Sequence, residues 1–168
     1  CSERGKQTMA KIIEERMSAQ IEGDFVVFLI GMRINVWWKV HKWLPVALAM
    51  MRMQKELRTL PIEQTGCLAT RAGSPSVTIQ YWRSFDHLEA YARDTAKQHM
   101  PAWKAFNKAA KSARKDVGIW HETFLVSDGQ YDTLYSAMPL DGLGKASTTV
   151  PASGHMNTAR GRVTGEDQ

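Results

Sequence analysis

Cysteine is scarce, with only Cys1 and Cys67 in 168 residues. There is no CxxC pair and no even set of spacings, which excludes a disulfide-stapled scaffold and a cysteine metal site. It also leads us to expect a reducing, cytoplasmic setting. Long apolar runs are lacking too. The longest, Trp43 to Met51, contains Pro45 and falls far short of the roughly 20 residues that a span requires, so no membrane partner is expected. The charged N-terminus has no apolar signal-peptide core. No GxGxxG, Walker loop, GxSxG or HExxH occurs, which removes the usual signatures of dinucleotide, phosphate-loop, α/β-hydrolase and zincin sites. Acidic residues are the minority, 17 against 22 basic, for a net charge of +5. The one basic run, Lys104, Lys108, Lys111, Arg114 and Lys115, has helical spacing and reads as a solvated face. With no nucleic-acid-binding signature beside it, no nucleic acid partner is expected.

Apolar residues make up 43% of the chain, and six tryptophans are among them. That is enough for the core of one domain. Residues 1–17 read as a polar extension in which Met9 could be the natural start. Residues 18–144 read as the domain. Residues 145–168, rich in small and polar types and without periodicity, are expected to be disordered.

The organising stretch is Tyr81–Arg93, where the strand Ser76–Arg83 gives way to a helix expected over Phe85–Gln98 and the period changes from two to helical. Val77, Ile79 and Tyr81 share one strand face, then Phe85, Leu88 and Tyr91 recur at helical spacing, with Ser84 placed to cap the helix. Asp24 to Asn35 is the strongest strand. It is apolar on both faces, with Phe25, Val27 and Leu29 on one and Val26, Phe28 and Ile30 on the other, so it belongs at the centre of a sheet covered on both sides. Gly31 within it marks a bulge or a close approach to the backbone. Val36 to Leu60 is helical in pattern, with a kink or restart expected at Pro45 and an end at Pro61. Gly66 to Arg71 forms a hairpin with Ser76 to Arg83. A further helix starts at Met100–Pro101, a strand spans Ile119 to Val126, and a short strand is expected over Tyr131 to Ser136. The order strand, helix, strand, strand, helix, strand predicts an α+β fold of the ferredoxin-like split βαβ type, with an antiparallel sheet. Helices cover one sheet face, and a homodimer would bury the other.

The blocks QIEGDFVVFLIGMRIN (20–35), WKVHKWLPV (38–46), QYWRSFDHLEAYAR (80–93), HMPAWKAFN (99–107), VGIWHETFLV (117–126) and YSAMPLDGLG (135–144) resemble a bacterial and fungal family of monooxygenase-like proteins. That family takes its name from the fumagillin-pathway monooxygenase, and the likeness runs over roughly residues 16–144. It lies in the dimeric α/β-barrel superfamily, beside the antibiotic-biosynthesis monooxygenases and haem-dependent dehydratases and dismutases. The resemblance implies a dimeric α/β barrel built from two copies, and an oxidoreductase acting on an aromatic or apolar small metabolite. Such an enzyme would carry either no cofactor or haem. The alternatives it leaves are a haem enzyme of the dehydratase or dismutase kind, and a non-catalytic dimeric module that binds a small molecule or haem.

His121 and His99 are the candidate catalytic residues. Imidazole exchanges protons near neutral pH and ligates iron, so either could be a general base or, with haem bound, the axial ligand. No other metal site is expected. His121 shares a strand face with Ile119 and Thr123, opposite Trp120 and Glu122, and could equally be a satisfied core histidine. His99 and Trp103 are four residues apart and would share a helix face. Trp82 and Trp103 are candidate cavity walls. Arg33 and Arg83 could orient an anionic substrate, and either could instead serve an ion pair, Arg83 with Asp86 or Glu89. Asn107 is a candidate hydrogen-bonding residue. His41 reads as a residue packed at the core edge, His87 as exposed, and His155 as part of the tail.

Overall fold

The computed structural model describes residues 11–74, 76–93 and 101–165, with the backbone alone over 101–106. In chain order its elements are β1 (Met17–Gln20), β2 (Phe25–Ile34), α1 (Val40–Thr59), α2 (Ile62–Thr65), β3 (Cys67–Ser74), β4 (Val77–Trp82), α3 (Phe85–Arg93), α4 (Pro101–Ser112), β5 (Val117–Val126), α5 (Leu143–Ala146), β6 (Thr148–Pro151) and α6 (Ala159–Thr164). They fall into two compact units, Glu22–Tyr131 and a second that joins Cys1–Ile21 to Asp132–Gln168.

The larger unit holds a four-stranded antiparallel sheet in the order β3-β4-β2-β5. The four strands of a split βαβ unit would be ordered second, third, first, fourth, which is the order seen, so the fold is ferredoxin-like. β2 lies inside the sheet, as its two apolar faces require. Register sets what shares a face with what. Val26 stands between Trp82 and Leu125, Phe28 between Gln80 and Thr123, and Ile30 between Thr78 and His121. This face meets the helices. Val46, Met50, Met53 and Leu57, spaced four, three and four along α1, pack there with Leu88 and Tyr91 of α3. Each such apolar side chain contributes about 1.5–3 kcal/mol by leaving water.

Ser84 Oγ accepts from the His87 backbone N–H at 3.3 Å and caps α3 as expected. Gly66, with φ of 70°, closes α2 in the left-handed conformation that glycine adopts without strain. The opposite sheet face carries Val27 and Leu29, both half-buried, with Trp120 and Phe124 exposed. Gly31 proves to be a close approach. A Cβ built there would lie 2.6 Å from Trp120 Nε1, because the indole of its cross-strand partner lies over the bare backbone. Gly31→Ala is therefore expected to displace Trp120 and to cost about 1–3 kcal/mol of stability. A fall in the urea midpoint checks this, and an unchanged midpoint would mean that the indole moves aside freely.

Several expectations are corrected. Pro45 does not restart α1, which runs through it. Pro45 and His41 are both exposed, so the carbonyl that loses its helical partner can bond to water. Exposure also removes His41 from the core edge. Tyr131 to Ser136 is not a strand, and Tyr135 makes only an isolated bridge to Met17. Residues 145–165 do not form a disordered tail. β6 pairs antiparallel with β1, Met17 opposite Pro151, and α6 is tied by Arg162 Nε to Asp132 Oδ1 at 2.5 Å. These partners lie far apart in sequence, where no local period can reveal them. For the same reason the division into 1–17, 18–144 and 145–168 did not anticipate that Met17–Gln20 pairs with Thr148–Pro151.

Candidate functional site

A cavity of about 390 Å³ opens between the helix-facing side of the sheet and α3. This is within the ~300–1,000 Å³ range of small-molecule sites. Phe28, Ile30 and Ile119 form its sheet wall, and Phe85, Leu88 and Tyr91 its helix wall. Strand alternation explains the floor. Phe28 and Ile30 are two residues apart on β2, and His121 and Thr123 are two apart on β5, so all four project the same way. The His121 ring rests beside Phe28 with centroids 5.5 Å apart and planes tilted by 35°. His121 is exposed and brings the one imidazole to a lining that also holds Gln80, Glu89, Arg93, Asn107 and Thr123.

Gln80, from β4, is the buried polar group of this wall at 2% exposure. Its Oε1 accepts from Trp82 Nε1 at 3.0 Å. Trp82 is fully buried and lies 5.3 Å from the Tyr91 ring. Tyr91 donates to Glu56 Oε1 at 3.4 Å. Burial, then the neighbouring Glu56 carboxylate, pushes the Tyr91 phenol far above its ordinary range and keeps it protonated. Cys67 lies behind in the core. Burial pushes its thiol up to about 12, so it is no nucleophile at neutral pH.

The predicted site residues divide on this geometry. His121 and Asn107 line the cavity. Trp82 does not, being a core residue beneath it. Its position on β4 opposite Val26 points it into the helix layer. Arg83 Nη2 donates to the carbonyls of Glu22, at 3.0 Å, and Asp24, bracing that turn beside a separate hollow of about 200 Å³. Neither expected ion pair is its recorded role, and Glu89 pairs instead with Arg93 at 2.7 Å. Arg33 is exposed near the end of β2, opposite Gly118, and Trp120 faces away from the cavity over Gly31. His99 and the side chain of Trp103 lie outside the described residues. A larger, more open groove of about 620 Å³ runs between α4 and β5. Its Lys111 and Arg114 offer positive charge but no imidazole. Among the described residues no cluster of three or more His, Cys, Asp or Glu could hold a metal ion, and no helix is long and apolar enough to cross a membrane.

Sequence reasoning missed Gln80, Phe28 and Leu88 as site residues. The signal for Gln80 was present: a polar residue alternating with Trp82 on the buried face of an inner strand, where an amide needs a reason to be.

A family model described as Monooxygenase af470-like matches residues 25–143. Monooxygenase af470 of Aspergillus fumigatus is 24% identical over 148 residues, an alignment that takes in 76% of this chain and 52% of that protein. The chain thus spans about half the length of the curated relative it matches. Among solved structures, SnoaB, a cofactor-independent oxygenase from Streptomyces nogalater, aligns over 60% of this chain and 91% of its own at 16% identity and a TM-score of 0.36. A dimeric protein of unknown function and ferredoxin-like fold from Bacteroides fragilis aligns over 61% and 96%, at 14% identity and a TM-score of 0.35.

Proposed function

The chain belongs to the Monooxygenase af470-like family, and from that membership we propose an oxygenase that acts on an aromatic or otherwise apolar small molecule in the cavity beside His121. The observation that carries the reading is a single imidazole beside Phe28, Ile30 and Ile119, at a cavity of about 390 Å³ whose lining also carries Glu89, Arg93 and Asn107. His121 is the general base. It takes a proton from an acidic C–H or O–H of the substrate, and the resulting anion adds O2 at carbon to give a hydroperoxide. Loss of that carbon's remaining proton with cleavage of the O–O bond leaves a carbonyl and one water. The walls supply what that chemistry needs from the protein: flat apolar surface to hold the substrate against the base, and partial exclusion of water.

A second reading rests on the same imidazole. One accessible histidine beside Phe28, Ile30 and Ile119 also suits an axial haem ligand, so His121 would hold the iron and the haem would supply the oxygen or dehydration chemistry. Absorption spectra of the purified protein, before and after hemin is added, separate the two. The oxygenase reading expects no specific Soret band and oxygen uptake with an acidic aromatic substrate. A sharp band lost in His121→Ala moves the protein to the haem reading. Neither signal leaves a non-catalytic binding module.

The same reading includes a homodimer. Phe124 is 50% exposed and Trp120 37%, and both flank half-buried Val27 and Leu29 on the sheet face away from the cavity. A second copy laid against this face would bury it and form the two-chain barrel. Sedimentation as a two-chain species supports this, and a monomer at micromolar concentration rejects it.

A further inference from the structure

We infer that Gln80 is the hydrogen-bond donor that holds an oxygen of the substrate, with its amide locked in the donating orientation by Trp82. The inference rests on the reading of the cavity as the substrate site and adds a chemical requirement to it: the ligand carries an acceptor oxygen on the edge remote from His121.

Trp82 Nε1–H donates and never accepts, so the amide atom that meets it at 3.0 Å must be the oxygen of Gln80. That fixes the flip of the amide and turns its –NH₂ away from the indole. Trp82 has no exposure through which to rotate, and the Tyr91 ring lies against it, so the lock is rigid. Gln80 is itself 2% exposed, yet it lines the cavity. Among the described residues no buried side-chain nitrogen or oxygen lacks a partner. The –NH₂ group, whose amide bonds to protein through Oε1, is therefore not sealed in the core but meets the cavity. Two donors beside the Phe28 ring lose free energy unless something there accepts from them.

Position supplies the second half. Gln80 and Thr123 flank Phe28 on β4 and β5, and His121 is the next residue on β5 to face the same way. Adjacent strands lie about 4.8 Å apart, so β4 and β5 are separated by about 10 Å with the Phe28 ring between them. A flat molecule resting on Phe28 thus reaches His121 with one edge and Gln80 with the other. When His121 removes a proton, negative charge spreads through a conjugated substrate to such an oxygen, where preorganised N–H donors are worth most.

The test uses 1-tetralone and tetralin, which differ by one carbonyl oxygen, titrated calorimetrically into the full chain. The wild type should prefer the ketone by about tenfold, the worth of one good hydrogen bond. Gln80→Met keeps the volume without the donors and should abolish the preference with tetralin affinity unchanged. Gln80→Glu keeps the bond from Trp82 but presents oxygen in place of nitrogen, and should invert it. Trp82→Phe, which frees the amide to flip, should reduce the preference only in part. A preference that survives in both folded Gln80 variants overturns the inference, as does a parallel loss of tetralin affinity, which is the mark of a packing role. Equal wild-type affinity for the two ligands overturns it while leaving the cavity reading intact. A wild type that binds neither ligand overturns both.

Discussion

His121→Ala is expected to lower the rate of substrate-dependent oxygen uptake by about 10²–10⁴-fold, the range a positioned general base supplies. The fold should be unaffected. His121 is exposed, and its ring touches Phe28 from the cavity side rather than filling the core, so its loss should change stability by no more than about 0.5 kcal/mol. The two readouts together make the result decisive. Lost turnover with an unchanged melting temperature assigns the imidazole a chemical role. Normal turnover removes it from the mechanism, and a lowered melting temperature would return it to the class of structural histidines. Imidazole added to the variant is a useful third arm, since a small base that enters the cavity should restore part of the rate.

Trp82→Ala should instead act on stability, with a loss of about 3–5 kcal/mol. The side chain has no exposure, belongs to the main apolar cluster, and donates the hydrogen bond that satisfies Gln80 Oε1. Removing it opens a cavity beside Tyr91 and leaves the Gln80 oxygen without its donor, and these costs add. A two-state urea titration measures the effect. Near-wild-type stability with weakened ligand binding would mean that Trp82 is a wall of the site rather than part of its foundation. Trp82→Phe keeps most of the buried ring and should recover more than half of the lost stability.

The contrast between these two residues shows what was legible in the sequence. Both occur on strands, next to an aromatic or apolar neighbour, within the blocks that carry the family resemblance. Strand period two is short-range physics. It correctly separated His121 from Trp120, and it made β2 a central strand because both of its faces are apolar. The capping serine at 84 and Pro101 at the start of α4 were equally local and equally readable. From such signals the order of elements followed, and with it the ferredoxin-like sheet.

What the sequence by itself determined was therefore the identity of the four sheet strands and long helices of the larger unit, their faces and the family. The tertiary structure decided which residues meet. Register across β4, β2 and β5 put Gln80, Phe28 and His121 on one floor and sank Trp82 beneath it. The turn at Glu22–Asp24 drew Arg83 away from the cavity to backbone carbonyls. Pairing between Met17–Gln20 and Thr148–Pro151 ordered a segment with no periodicity of its own. The physical reason is the same in each case. Local propensity and side-chain alternation act between near neighbours and are written along the chain. Burial and long-range pairing depend on parts of the chain that become adjacent only after folding.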